Sequence, residues 1–332
     1  MAVDLTTKWL GLTLEHPIFP GASPLVDDLD MVRRLEDAGA SCITMHSLFE
    51  EQLVAEQMAA HRHMDAWTEL NAEAQGWFPA TSDFTLGPDA YLEQIRKIRA
   101  AVKVPVVGSL NGTTPGGWIE YAKLIEQAGA SALELNLYAL PSDPAQDAHT
   151  IEQEQHFIIR KVKASVKIPV AVKLSPFYSS LPNFARSLES EGIAGLVLFN
   201  RLYQPDIDPE NLSLERVLHL SDPSELLMRL RWLAILSAKT KLPLAASGGV
   251  HETQHVIKSL MAGASAVQVV SEILKNGPRR ITAMRDGLKS WLEEHEYDSV
   301  KQLVGSMNLE RSPDPSGYER ANYVKLLQGY HR

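Results

Sequence analysis

Eight short apolar runs punctuate this chain, and what opens them alternates strictly. The first, third, fifth and seventh begin around a proline: His16-Pro17-Ile18-Phe19, Val104-Pro105-Val106-Val107, Ile168-Pro169-Val170-Ala171 and Leu242-Pro243-Leu244-Ala245. The even ones follow a small, glycine-bearing step: Ala38-Gly39-Ala40-Ser41, Ala128-Gly129-Ala130-Ser131, Gly192-Ile193-Ala194-Gly195 and Ala262-Gly263-Ala264-Ser265. Each run is about as long as one strand, and nearly every gap carries apolar residues at helical spacing. A proline can open a strand because its missing N–H falls before the ladder begins. Glycine ends the preceding helix because it has no Cβ to oppose a left-handed residue. Eight strand–helix units predict an α/β fold, a TIM (β/α)8 barrel, in preference to an open doubly wound sheet. A barrel places its chemistry on the loops after the strands' C-terminal ends.

Helices are expected at about 28–38, 89–102, 116–128, 150–166, 182–191, 224–239, 253–262 and 277–295. Three connections exceed the usual two to six residues. They run from about 48 to 88 after the second strand, from Tyr138 to Thr150 after the fourth, and from Arg201 to Pro223 after the sixth. All three insertions therefore lie over the mouth. The first carries Phe49, Trp67, Trp77, Phe78 and Phe84; it reads as a lid or specificity loop, with a homodimer contact as the alternative. An N-terminal hairpin within Thr6–Leu14 is expected to plug the barrel floor, and residues 1–332 are expected to form one domain. The net charge of -9 argues against nucleic-acid or anionic-membrane partners. No apolar run is long enough to span a bilayer, and the first residues lack the features of a signal peptide. A cytoplasmic protein is expected. Its one cysteine, Cys42, allows neither an internal disulfide nor a four-thiolate cluster.

Strand 7 ends in Ser247-Gly248-Gly249 and strand 8 in Val270-Ser271. In barrels these two turns commonly hold phosphate, because glycine backbone N–H groups and a serine hydroxyl can reach its oxygens. Ordinary βα turns also use glycine. On strand 5, period-two alternation turns Ala171 and Lys173 inward and Val170, Val172 and Leu174 toward the helices. An inward lysine is costly unless paired. Either it forms an ion pair with Glu134 on strand 4, or it supplies a fixed positive charge under a cofactor or substrate, and both can hold. Strand 4 turns Glu134, Asn136 and Tyr138 inward, and strand 6 ends in Asn200. Carboxamides and a lysine at adjacent strand ends can address a planar polar ring, though asparagine also forms turns. Asn111 belongs to the same rim. His46, near the end of strand 2, is either an acid–base group or a hydrogen-bonded structural residue. His61 and His63 lack metal-ligand spacing, the stretch Gln52–His63 reads as a solvated helical face, and no metal site is expected. Cys42 reads as a core thiol.

In their order and barrel spacing, Glu134-Leu135-Asn136-Leu137, Val172-Lys173-Leu174, Ser247-Gly248-Gly249 and Val267-Gln268-Val269-Val270-Ser271 resemble the class-1 branch of the dihydroorotate dehydrogenase family. The resemblance runs over residues 4–305 and implies bound flavin mononucleotide (FMN). Its phosphate would rest on Gly248, Gly249 and Ser271, beside Ser247. Lys173 would lie by the flavin's pyrimidine edge with Asn136 nearby and Asn200 toward the substrate. Gly21, Ala22 and Ser23 would pass close to the ring. The family's loop after strand 4 normally reads Asn-Leu-Ser-Cys-Pro-Asn, in which cysteine, or serine in other branches, takes a proton from dihydroorotate. Here it reads Asn136-Leu137-Tyr138-Ala139-Leu140-Pro141-Ser142, and alanine cannot be a base. The family's lysine after strand 2 is replaced around Met45-His46, and its carboxylate-gripping loop is not recognisable in 76–85.

The expectation is an FMN-dependent oxidoreductase acting on a CH–CH bond of a small polar substrate, a pyrimidine such as dihydroorotate among the candidates. The catalytic residues expected are Lys173, Tyr138 and His46, with Ser142 as a further proton-transfer candidate. The rival readings are a flavin-independent aldolase or isomerase using Lys173 as a Schiff base, and a non-catalytic flavin-binding subunit.

Overall fold

The structure, a computed structural model, describes residues 3–49, 88–111, 115–137, 140–201, 204–215, 218–319 and 328–329. Eight parallel strands make the barrel wall: β3 (Ile18–Pro20), β4 (Ile43–Phe49), β5 (Val106–Asn111), β6 (Ala132–Asn136), β7 (Val170–Leu174), β8 (Gly195–Leu198), β11 (Leu244–Ser247) and β12 (Ala266–Val269). Helices α1 (Leu29–Asp37), α2 (Pro88–Ala101), α3 (Pro115–Gln127), α4 (Ala148–Ser165), α5 (Leu181–Ser190), α6 (Leu226–Ser237), α7 (Thr253–Ala262) and α9 (Arg279–Glu294) alternate with them. Wall and helices match the spacing expected from the sequence. Among the described residues, no helix is long and apolar enough to cross a membrane.

The alternation of openers has a hydrogen-bonding reason. At the foot of each even strand, one N–H donates back to the preceding odd strand: Ser41 to Ile18 O (3.4 Å), Ser131 to Val106 O, Ala194 to Val170 O and Ser265 to Leu244 O (each 2.7 Å). Two residues later a second N–H donates forward to a proline carbonyl: Ile43 to Pro105 O, Leu133 to Pro169 O, Leu196 to Pro243 O and Val267 to Pro17 O, all 2.7–3.0 Å. Each proline sits where its neighbour needs only an acceptor, so its missing donor costs nothing. The β3–β4 seam lacks a full ladder and closes through Ser41, whose hydroxyl also donates to Ile18 O at 3.1 Å. Beside it, His16 donates from Nε2 to Gly39 O (2.5 Å) and accepts the Ile18 N–H at Nδ1 (3.2 Å). That pattern requires the neutral ring, and burial lowers the His16 pKa from its ordinary 6.5.

The N-terminal hairpin is present as β1 (Thr7–Trp9) and β2 (Leu12–Leu14), joined by a tight turn at Leu10-Gly11 with both φ positive. Trp9, Leu10 and Leu14 enter the barrel from below. They pack on Phe19, Cys42 and Val107 and on the inward residues Ala132, Ala171, Ala245 and Ala266. The wall is narrow-sided there because the plug fills the space: a Cβ on Gly195 would lie 2.8 Å from the Trp9 ring. Burial pushes the Cys42 thiol up to about 12, as expected of a core cysteine.

Four elements are additions to the expected plan. The insertion after β8 forms a ribbon, β9 (Asp206–Asp208) with β10 (Ser213–Glu215), in which Ile207 opposes Leu214 and both are exposed. A short helix, α8 (Ser271–Asn276), precedes α9, and α10 (Val300–Leu303) follows it. Of the aromatic insertion expected over 48–88, residues 50–87 lie outside the described residues.

Two outcomes are expected. Trp9→Ala should lower unfolding free energy in urea by about 3–5 kcal/mol, the usual cost of removing a buried tryptophan. Because the folded His16 pKa is depressed, its contribution is present above 6.5 and lost as pH falls through the lower folded value. Stability should therefore decline on acidification below 6.5, with the His16 ring titrating below 6.5 by NMR.

Candidate functional site

Above the alanine layer the barrel interior turns polar. Ser109, Glu134, Asn136, Lys173 and Gln268 all point inward and are buried, with Asn136 beside Lys173 and Ser109 beside Glu134 in register. The inward face deduced from alternation is observed: Ala171 belongs to the inner cluster, while Val170, Val172 and Leu174 pack against the helices.

Glu134 is the hub. Lys173 Nζ donates to its Oε1 at 3.2 Å, and Gln268 Nε2 donates to its Oε2 at 2.8 Å. The expected ion pair therefore exists. A second chain runs beside it: Asn136 Nδ2 donates to Ser47 Oγ (3.2 Å), which shares a hydrogen bond with Ser109 Oγ (2.8 Å). These bonds fix which way both carboxamides face. Their NH2 groups are spent inside the barrel, leaving Asn136 Oδ1 and Gln268 Oε1 buried without protein partners, as is Ser23 Oγ. Buried acceptors left open cost free energy unless something donates to them. Two carbonyl oxygens, a hydroxyl and an ammonium suit a planar ring that carries both N–H and C=O groups.

One cavity connects this layer with the expected phosphate turns. Ala22, Ser23, Lys173, Asn200, Ser247, Gly248, Gly249, Gln268 and Ser271 all line it. Asn136 does not line it but stands beside Lys173 in register. Gly21 lies against Gln268, where a Cβ would meet the side chain at 3.0 Å. Asn200 follows the end of β8, anchored by its N–H on Leu174 O at 2.8 Å.

Gly248 and Gly249 take φ of +93° and +78°, values a side chain would oppose. Arg229, buried on α6, packs beneath them. It donates from Nε to Ser247 O and from Nη1 to Glu225 O (2.6 Å), and a Cβ on Gly248 would lie 2.6 Å from its Nη2. Arg229 and Arg201 share one carboxylate, Glu225, each at 3.5 Å. The field at the turn is thus positive. Glu272, one residue past Ser271, is offset by Arg280 (2.6 Å), and its Oε2 lies 3.2 Å from His251 Nδ1.

Ser221 was not singled out from the sequence. Its Oγ accepts the Gly249 N–H at 3.2 Å and pairs with Ser271 Oγ at 2.8 Å, while its own N–H donates to Ser271 Oγ at 3.0 Å. The signal was readable: Asp222-Pro223 is a helix start, and Asp222 Oδ1 accepts the Ser224 N–H at 2.7 Å. A helix start after a barrel strand places the residue before it at the mouth. Ser47 was equally legible one residue past His46. The signal for Arg229 is a charged position four residues after Glu225 within an otherwise largely apolar helix.

His46 lies where β4 bulges, between Thr44 and Ser47 in the register with β5. The slack backbone of Ser109 is taken up by Tyr91, whose hydroxyl donates to Ser109 O (2.9 Å) and accepts its N–H (3.0 Å). His46 Nδ1 sits 2.7 Å from Asp27 Oδ1, and its ring meets Tyr91 edge-on at 5.0 Å. Burial lowers its pKa despite Asp27. Ser142 lies on an exposed stretch, and Asn111 is buried at the end of β5. Tyr138, Ala139, His61, His63 and the loop 76–85 lie outside the described residues.

The family model for dihydroorotate dehydrogenase matches residues 84–292, more than half of the chain and all of the polar layer except Ser47. The chain belongs to the dihydroorotate dehydrogenase family. Among curated relatives, the dihydroorotate dehydrogenase B (NAD(+)) catalytic subunit of Endomicrobium trichonymphae is 25% identical over 94% of this chain and 100% of its own length. The catalytic subunit from Pyrococcus furiosus is 26% identical over 91% of this chain and 98% of its own length. That from Shouchella clausii is 29% identical over 61% of this chain and 68% of its own. The protein is accordingly an oxidoreductase resembling dihydroorotate dehydrogenase, and neither the aldolase nor the non-catalytic subunit is favoured.

Removing one member of a buried ion pair strands the other, at about 3–5 kcal/mol. Lys173→Met and Glu134→Gln should each destabilise the fold by that order in urea, and the double variant should recover most of the loss.

Proposed function

We propose that this member of the dihydroorotate dehydrogenase family binds FMN and oxidises or reduces a CH–CH bond of a small polar substrate, dihydroorotate or a near relative of it. The observation that carries the reading is the continuous cavity from the Gly248-Gly249 turn and Ser271 to Lys173, lined also by Ser23 and Gln268, each with an open oxygen. Gly248, Gly249 and Ser271, with Ser247 and Ser221, would hold the phosphate. Gly21, Ala22 and Ser23 would flank the ring, and Asn200 would face the substrate. Bound flavin supplies hydride transfer. Lys173, kept in place by Glu134, would set a positive charge against the negative charge of a reduced ring. Asn136 and Gln268 would offer such a ring acceptor oxygens.

The second proton needs a group on the chain. Ala139 offers none, so dihydroorotate itself would be turned over slowly. Tyr138, two residues past the end of β6, is the leading candidate from the sequence, since a phenol can hand over a proton. His46 is the second candidate, oriented by Asp27, and Ser142 the third. The relatives' names support a pyrimidine precursor as substrate.

Purified protein should be yellow and should release FMN on denaturation; a colourless protein that FMN cannot reconstitute sinks the reading. Gly248→Ala, which drives a methyl group into Arg229, should weaken FMN retention at least about tenfold in equilibrium dialysis. The Glu134→Gln/Lys173→Met variant should slow anaerobic bleaching by substrate by about a hundredfold, the usual scale for one preorganised charge.

A further inference from the structure

A larger cavity, about 680 Å³, opens at the opposite end of the barrel. Its walls are the β1–β2 hairpin, the turn between α6 and β11, and the segment running from α10. Lys8, Lys241, Lys301 and Arg311 line it against a single carboxylate, Asp4. The chain as a whole runs the other way, with 41 acidic and 32 basic residues, so the cleft is a local reversal of sign. Asp4, held ionised by the Thr6 N–H that its Oδ1 accepts at 2.9 Å, offsets one of these four positive charges and leaves the cleft with a net positive balance. Among the described residues, no carboxylate forms an ion pair within 4.0 Å of the Lys8, Lys301 or Arg311 side chains. Lys241 is partly offset by Glu189, which lies outside the lining and whose Oε2 accepts from Thr240 Oγ1 (2.7 Å) and the Lys241 N–H (3.1 Å).

The walls are anchored separately from any ligand. Thr7 Oγ1 donates to Ser265 O (2.7 Å), the Gly305 N–H to Leu260 O (2.9 Å) and the Leu309 N–H to Ala234 O (3.0 Å). Like charges are therefore held around one space by a rigid frame, an arrangement that favours a multiply charged anion. Lysine ammonium groups suit phosphate as point charges. Leu242, Pro243 and Val304 add an apolar strip, and the volume is that of a small-molecule site.

We propose that this floor cleft binds a small phosphorylated organic anion, its phosphates held by Lys8, Lys241, Lys301 and Arg311 and its apolar body laid against Leu242 and Val304. The ligand bridges the hairpin to the barrel and, by linkage, stabilises the folded state. This site is independent of the cofactor reading.

Calorimetric titration of the full chain at low ionic strength, with ADP and with inorganic pyrophosphate as probes, tests it. ADP should bind more tightly than pyrophosphate and raise the melting temperature. The Lys301→Glu/Arg311→Glu variant should bind ADP at least about tenfold more weakly, while Gly248→Ala, at the mouth, should bind it as the unaltered protein does. Both altered floor positions are exposed, so the variant's melting temperature without ligand checks that it folds. Should it not, Lys301→Gln should still weaken ADP binding and flatten its salt dependence. Any of three results overturns the proposal: no binding at millimolar probe, equal affinity for pyrophosphate and ADP, or binding lost in Gly248→Ala and kept in the floor variant.

Discussion

A single buried carboxylate organises the working half of this barrel. Taking Glu134 and Lys173 out of water costs several kcal/mol per ion, which their attraction repays only if the remaining polar atoms are also satisfied. Gln268 completes that requirement by donating to the second carboxylate oxygen. The same donation decides that the Gln268 amide presents its oxygen, not its nitrogen, to the mouth. Ser47 does likewise for Asn136. One structural requirement, satisfaction of a buried anion, thus sets both the charge and the hydrogen-bonding polarity of the surface on which a ring would lie.

The interior below obeys the opposite logic. Alanines at Ala132, Ala171, Ala245 and Ala266 leave a hollow that the wall cannot fill, and the hairpin fills it with Trp9 and Leu10. Dispersion and exclusion of water hold the floor; hydrogen bonds and charge hold the roof. The same strands supply both, since the residue two positions beyond an inward alanine is an inward polar group: Ala132 to Glu134, Ala171 to Lys173, Ala245 to Ser247, Ala266 to Gln268.

Most of the wall was legible because two periodicities carry it. Proline and glycine mark where strands and helices begin and end, and alternation says which side chains look inward, so the Glu134–Lys173 ion pair could be anticipated. Asn200 did not follow from strand alternation, since β8 stops at Leu198 and the chain beyond it obeys no period of two. The β4 bulge likewise breaks the count between Thr44 and Ser47, which put His46 against Asp27 and Ser47 among the inward polar groups. Ser221 and Arg229 escaped notice for a different reason. Each acts on the glycine turn from another part of the chain, and such a partnership leaves no mark in either local pattern.

The proline joints have a consequence for the barrel as an object. Each odd strand supplies the same two carbonyls, one from its proline and one from the residue after it, to the even strands on either side. The wall is therefore a ring of four quarters, each a strand–helix–strand–helix module with the same pattern of socket at its edges. One socket departs from the pattern: between β3 and β4 the ladder is incomplete, the Ser41 N–H reaches Ile18 O only at 3.4 Å, and the Ser41 hydroxyl makes up the joint. A ring of copied parts joined this way has its loosest hinge where its first two strands meet, and that is where the wall has room to part.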